Sequence, residues 1–146
     1  MQEITSFAHA LSDPTRWRIL QLVLDEALCV CELADILGMP QSSVSSHLQV
    51  IRRADLLASE RCEKWVYYRL ERKYRGLLLE LGKFFAVSPA TDSTLRSDGR
   101  KSAKRLQERE RSCCPGPRLL ASGASRADLL KPLKPRRKIK KTTNIP

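Results

Sequence analysis

With 146 residues, 42% of them hydrophobic and 29% charged, the chain has the usual size of one domain, or of one domain followed by a tail. Its five cysteines are an odd number, and the start MQEITSFAHALSD lacks the basic onset and apolar core of a signal peptide; a reduced, cytoplasmic setting is expected rather than a disulfide framework. No apolar run approaches the roughly 20 residues that cross a bilayer, so no membrane partner is expected.

The charge is unevenly placed. Residues 1–88 hold 11 Lys+Arg against 11 Asp+Glu, whereas residues 89–146 hold 16 against 5, so all of the net +11 lies in the last 58 residues. That stretch also carries Pro89, Pro115, Pro117, Pro132, Pro135 and Pro146 and no aromatic residue, and can bury little apolar surface. The expectation is a folded domain over 1–88 and a basic, largely disordered tail over 89–146, either solvated or adding nonspecific contacts to nucleic-acid phosphates.

In chain order, Ile4, Phe7, Ala8 and Leu11 recur at helical spacing and predict a short amphipathic helix over 3–11, a candidate dimer element. Asp13 followed by Pro14 reads as an N-cap with proline at the first helical position, opening a second helix to about Leu24 with Trp17, Leu20, Val23 and Leu24 inward. Over 31–37, Leu33, Ile36 and Leu37 line one side of a third helix that Gly38 stops. After the turn Gly38-Met39-Pro40, a fourth helix over 41–54 puts Val44, Leu48 and Ile51 on one stripe and leaves Gln41, Ser42, Ser43, Ser45, Ser46 and Gln49 to face outward. The pair forms a helix-turn-helix pattern. A face rich in hydroxyls and amides and poor in acids suits the DNA major groove, where such groups pair with base edges and phosphates.

Next, 56–60 and 65–70 read as two strands joined by Arg61-Cys62-Glu63-Lys64, a hairpin tip that forms the wing. Alternation sets Trp65, Tyr67 and Arg69 on one face and Val66, Tyr68 and Leu70 on the other, so that one aromatic set packs on the core. Arg61 and Lys64 at the tip, with Arg52 on the fourth helix, are placed for phosphates or the minor groove. A last helix over 72–87, with Tyr74, Leu77, Leu78, Leu81, Phe84 and Phe85 on its stripe, is too apolar to stand exposed and pairs with the first as a dimer interface. The fold class is therefore mainly α with a small β-hairpin, a winged helix-turn-helix.

The cysteines carry the remaining chemistry. Cys29 and Cys31, two apart, diverge on a regular helix, so they chelate only if Cys29 sits in the preceding loop or cap and Cys31 in the first turn. There the helix N-terminus is expected to lower their pKa toward the thiolate, and a thiolate-only site favours soft ions. The alternative is that both are small apolar core residues. Cys62 reads as a solitary thiol at the wing tip. The vicinal pair Cys113 and Cys114 on the tail reads as unstructured thiols, as a capture site of its own, or as ligands that reach back to complete the first pair.

The order CVCELADILGMPQSSVSSHL, then IRRADLL and KWVYYRL, resembles the ArsR/SmtB family of dimeric metalloregulatory repressors, in particular its arsenite-sensing branch, over about residues 3–87. The resemblance implies a homodimer that binds an imperfect palindrome in operator DNA and releases it when As(III) or Sb(III) binds Cys29 and Cys31, with no permanent cofactor and no enzymatic activity. Many arsenite-sensing members have a third cysteine three residues after the pair; here Ala34 stands there. Some members carry a zinc site of Asp, His and Glu on the last helix, and 72–87 contain no histidine. His47 resembles the histidine that relatives have in the recognition helix, where it packs or contacts phosphate. A cadmium, lead or oxidant sensor on the same thiols is the alternative within this class. Outside it stand a thiol oxidoreductase or metal buffer, for which the βαβ setting of a thioredoxin-like site is missing, and an architectural binder driven by the tail.

Overall fold

A computed structural model describes residues 1–111 and 114–120. Helix α1 (Gln2–Leu11) runs into α2 (Pro14–Leu22), whose N-cap is Asp13, its carboxylate accepting from Arg16 N at 2.9 Å. Arg16 turns back to donate to the carbonyls of Ala10 (2.9 Å) and His9 (2.8 Å), satisfying the open C-terminal end of α1. Strand β1 (Leu28–Cys29) leads into α3 (Val30–Leu37), which Gly38 ends in the left-handed conformation at φ +65°; α4 (Gln41–Arg53) follows. Strands β2 (Leu57–Cys62) and β3 (Trp65–Leu70) form the wing, and α5 (Arg72–Phe84) and α6 (Ser93–Gln107) complete the described helices, with a short 3-10 turn at Arg109–Arg111. The winged helix-turn-helix expected from the sequence is the fold.

The main core gathers Ile19 and Leu20 of α2 with its C-cap Val23, Leu33, Ile36 and Leu37 of α3, and Val44, Leu48 and Ile51 of α4 over Tyr68 and Leu70 of the sheet. The stripes expected for α3 and α4 are thus the ones that pack. Helix α1 adds Phe7, stacked on Tyr74 of α5 with ring centroids 5.8 Å apart.

Four expectations change. The hairpin has a third strand: β1 pairs antiparallel with β3, Leu28 opposite Tyr68 and Cys29 opposite Tyr67, giving the order β1-β3-β2. Two residues are too few for any alternation to show. The wing turn is confined to Glu63-Lys64, because Arg61 and Cys62 stay in the ladder opposite Val66 and Trp65; Cys62 is buried rather than exposed at a tip. Helix α5 ends at Phe84, short of residue 87.

The largest change concerns the segment after residue 88, expected to be disordered. Asp92 caps α6 by accepting from Leu95 N at 2.9 Å, and α6 packs against α2 and α3. Its inward side carries Leu95, Asp98, Ser102 and Leu106, and much of its hold is ionic. Arg18 donates twice to Asp98 (2.7 and 2.9 Å), Arg105 to Asp35 (3.1 Å), and Arg109 beyond the helix twice to Glu32 (2.8 and 2.9 Å). Low hydrophobicity misled because the docking uses charge pairs in place of apolar area. Residues 112–113, with Cys113, and 121–146, with half of the tail's Lys and Arg, lie outside the described residues.

Candidate metal centre and nucleic-acid interface

Cys29 is the N-cap of α3, extended at φ −88° and ψ 169°, and Cys31 lies in the first turn. The Glu32 carboxylate reaches back to accept from Cys29 N at 3.0 Å, forming a capping box in which a thiol stands where serine or threonine is usual. This non-helical start, which the spacing of the pair required, brings the two Sγ atoms to 2.9 Å. Cys114 completes the group, its Sγ 3.1 Å from that of Cys31 and 3.6 Å from that of Cys29. An ion about 2.3 Å from each sulfur spans up to about 4.6 Å between any two, so a single soft ion fits all three. Among the described residues these three sulfurs are the cluster of potential metal ligands, and Cys62 is not part of it.

A second apolar cluster encloses the thiols. Ala27, Cys29, Ala58, Cys62, Tyr67, Cys114 and Leu120 are buried in it, with Cys31 and Trp65 at its margin. The sheet is therefore covered on both faces: Val66, Tyr68 and Leu70 meet the main core, and Trp65 and Tyr67 meet the thiol cluster. The strand alternation anticipated this division, but not that residues 114–120 would cover the second face. Cys31 alone of the three is half-buried, so its sulfur is the one open to solvent.

Arg109 closes the site from the α6 side. Beyond its bidentate bond to fully buried Glu32, it donates to Ala27 O at 2.8 Å and lies 5.4 Å from the centroid of the Tyr67 ring. Burial pushes the Glu32 carboxyl upward, but the bonds from Arg109 and from Cys29 N–H outweigh it and hold the group below its usual range. Arg105 Nη2 stands 3.8 Å from Cys114 Sγ, placing positive charge beside this sulfur.

One expected property reverses. Cys29 is held well above its usual acidity range, first by burial and then by its contact with Cys31, while the bond between its sulfur and the Glu32 amide opposes this without prevailing. The N-terminus of α3 does not overcome desolvation, because Cys29 is 1% exposed. Tyr67 is raised for the same first cause.

On the opposite side of α3, helix α4 presents the residues read from the sequence. Gln41, Ser42, Ser46 and Gln49 are exposed, and Ser43, Ser45 and His47 are half-buried. Ser46 Oγ donates to Ser42 O at 3.1 Å and keeps its lone pairs free to accept. His47 leans on the start of α2, its Nδ1 3.7 Å from Asp13 Oδ1. Arg52, Arg61 and Lys64 are exposed; Arg52 lies over the Tyr68 ring at 5.8 Å and Lys64 over the Trp65 ring at 4.7 Å.

Sequence reasoning missed Glu32 and Arg109. Glu32 three residues after Cys29 is a legible capping-box position, whereas nothing in the spacing from 32 to 109 pairs the two.

A family model described as "Bacterial regulatory protein, arsR family" matches residues 13–59, from the cap of α2 into the wing. Among curated proteins, the chain is 46% identical over 61 residues to the arsenic resistance transcriptional regulator ArsR1 of Pseudomonas putida, a match covering 41% of this chain and 48% of that protein. The chain thus spans about half the length of this relative. It is 32% identical over 83 residues to the cadmium resistance transcriptional regulatory protein CadC of Listeria innocua, covering 56% of this chain and 70% of CadC. Among solved structures, the AntR antimony-specific transcriptional repressor superposes with a TM-score of 0.50 at 31% identity, over 58% of this chain and 78% of AntR. With a matching family model on its reading unit and a relative matched across most of its own length, the chain belongs to the arsR family of bacterial regulatory proteins.

Proposed function

We propose that this protein is a homodimeric transcriptional repressor that holds operator DNA through α4 and the wing and releases it when As(III) or Sb(III) binds Cys29, Cys31 and Cys114. The observation that carries this reading is the convergence of three sulfurs within 4.8 Å of one another. A donor set of sulfur alone selects thiophilic ions over hard ones. The names of the relatives, which include an arsenic resistance regulator and an antimony-specific repressor, point to the same class of inducer.

Cys29 belongs at once to β1 and to the cap of α3, and α3 packs on α4 through Leu33, Ile36 and Leu37. An ion seated among Cys29, Cys31 and Cys114 spreads sulfurs that stand 2.9–3.6 Å apart, displaces the start of α3 and thereby tilts the seating of α4. Reversing a 99:1 preference for the DNA-bound form takes roughly 5.5 kcal/mol of differential affinity. Metal–thiolate sites supply about 10–16 kcal/mol where they organise a fold, so three such bonds suffice.

A second reading, cadmium as inducer, is favoured by Arg105 beside Cys114, which would offset the negative charge that three thiolates leave around a divalent ion. The deciding experiment is binding to the upstream DNA of its own gene, with arsenite, antimonite, cadmium or zinc added. Arsenite and antimonite are expected to release it. Cys29→Ser, Cys31→Ser and Cys114→Ser should each keep operator affinity and lose or blunt that release. Release that persists in all three variants defeats the sensor assignment, and release by cadmium alone transfers it to the second reading.

A further inference from the structure

Residues 114–120 form a strap across the outer face of the wing sheet. The register pairs Glu60 with Tyr67 and Ala58 with Arg69, so these side chains share that face. The Tyr67 hydroxyl accepts from Gly116 N at 2.8 Å, and Arg69 Nη1 donates to Leu120 O at 2.7 Å. The firmest grip comes from Glu60. Its carboxylate accepts from three successive backbone amides, those of Arg118 (2.9 Å), Leu119 (2.8 Å) and Leu120 (2.9 Å). Successive amides that converge in this way form an anion nest, and here the wing itself supplies the anion. Leu120, fully buried, anchors the end of the strap in the cluster that contains Cys114.

At the Cys114 end the sulfur contacts are weak, since a thiol is a poor donor and a poor acceptor. Cys114 also stands 83 positions from Cys31, a long closure that an ion would otherwise have to bring about itself. We propose that Glu60 is the positioning residue of the thiol site: by gripping amides 118–120 it holds Cys114 over Cys29 and Cys31. The same grip ties the occupancy of the site to the hairpin that carries Arg61 and Lys64. The inference rests on the sensor reading above and adds the route by which the site acts on the wing. Glu60 directly precedes Arg61 in β2, so a strap displaced as an ion spreads the sulfurs pulls on the strand that ends at the wing turn.

The test uses the full chain with Glu60→Ala and Glu60→Gln. Without any ion, alkylation of Cys114 by iodoacetamide, followed by peptide mass spectrometry, should be at least about tenfold faster in Glu60→Ala, equivalent to about 1.4 kcal/mol. Glu60→Gln should fall between it and the wild type, because one amide oxygen still accepts from the two amides that now share Oε2. On arsenite titration, X-ray absorption should count three sulfurs around arsenic in the wild type and two in Glu60→Ala. Operator affinity without arsenite should change less than about twofold, and the arsenite concentration for half-release should rise about tenfold, matching the loss of a preformed ligand.

Wild-type protection of Cys114 together with three-sulfur coordination in Glu60→Ala overturns the positioning role and leaves the sensor reading standing. A wild type that takes up no arsenite, with Cys114 still uncovered by Glu60→Ala, upholds the clamp and defeats the inducer. Should Glu60→Ala misfold by circular dichroism, the near-isosteric Glu60→Gln decides on the same alkylation and coordination readouts.

Discussion

Gly116 shows how finely the strap is set. It sits at φ +83°, and a Cβ there would stand 3.1 Å from Cδ of Arg109, the residue that closes the thiol site. For an L side chain the left-handed conformation costs roughly 1–2 kcal/mol before any contact is considered. Gly116→Ala is therefore expected to weaken arsenite binding by about tenfold while leaving operator affinity within about twofold, read from parallel titrations. The acidity of Cys29 leads to a pH signature. With its pKa raised by burial, the thiol is protonated at neutral pH. Arsenous acid brings its own hydroxides: As(OH)3 and three thiols give As(SR)3 and three waters, with no net proton released. Cadmium meeting the same thiols must expel their protons to solvent. Between about pH 6 and pH 8, arsenite affinity should stay nearly level and cadmium affinity should climb steeply, and calorimetry in buffers of different ionisation enthalpy counts the protons. A steep fall in arsenite affinity as the pH rises would mean that the thiols are already ionised, because As(OH)3 must then take up protons for its hydroxides to leave as water. The sequence made the convergence of Cys29 and Cys31 legible, since a pair two apart meets only across a helix cap. The acidity of Cys29 was not legible, because its burial depends on cover from Cys114 and Leu120, far along the chain.

Among the elements, those with a local signal were readable and those held by distant partners were not. Asp13-Pro14 opened α2 where the cap rule places it, and Gly38 closed α3 at a positive φ. Val44, Leu48 and Ile51 oriented α4 through their spacing alone. Helix α6 was lost because Asp98 and Ser102 occupy its inward side, a composition that reads as solvated until Arg18 is brought opposite. A chain ending at Pro89 tests what α6 adds. It should keep the winged fold and its operator, hold arsenite with two sulfurs in place of three, and unfold at lower temperature. The loss includes the bonds of Arg109 to Glu32, each charged hydrogen bond being worth about 1.5–3 kcal/mol. Glu32 has its folded pKa depressed below 4.5, so its contribution is complete above that value and disappears as the pH falls through the folded pKa. The stability gap between full and shortened chains, measured by denaturant melts, should therefore narrow below about pH 4.5. A gap that does not vary with pH would place the stabilisation elsewhere.

At the scale of the whole molecule, one side of the described chain is left apolar. Ile4 of α1, Leu77 and Phe84 of α5 and the adjoining Phe85 are exposed, and Phe84 and Phe85 meet edge to face at 4.9 Å. Beside them, Leu11, Trp17, Leu81, Phe85 and Val87 line a cavity of about 260 Å³, and the buried indole N–H of Trp17 finds no acceptor among the described residues. Exposed apolar side chains gathered along α5 mark an association surface, and a palindromic operator needs two reading heads on a twofold axis. Phe84→Asp combined with Phe85→Asp should give a folded monomer by sedimentation with much weaker operator binding. A variant that remains dimeric would place the interface on another face.

The long separation between Cys31 and Cys114 also has a consequence in time. During synthesis the reading head and the wing leave the ribosome before Cys114 is made. At about 5–20 residues per second the interval from the end of β3 to Cys114 lasts roughly several seconds. Throughout it, the nascent chain carries all the residues proposed to face DNA and only two of the three sulfurs. On the sensor reading proposed above, a product that stops after α5 but before Cys114 would still hold DNA and answer only to higher concentrations of the ion, so quality control over unfinished chains would become part of how promptly any genes beneath it are switched on.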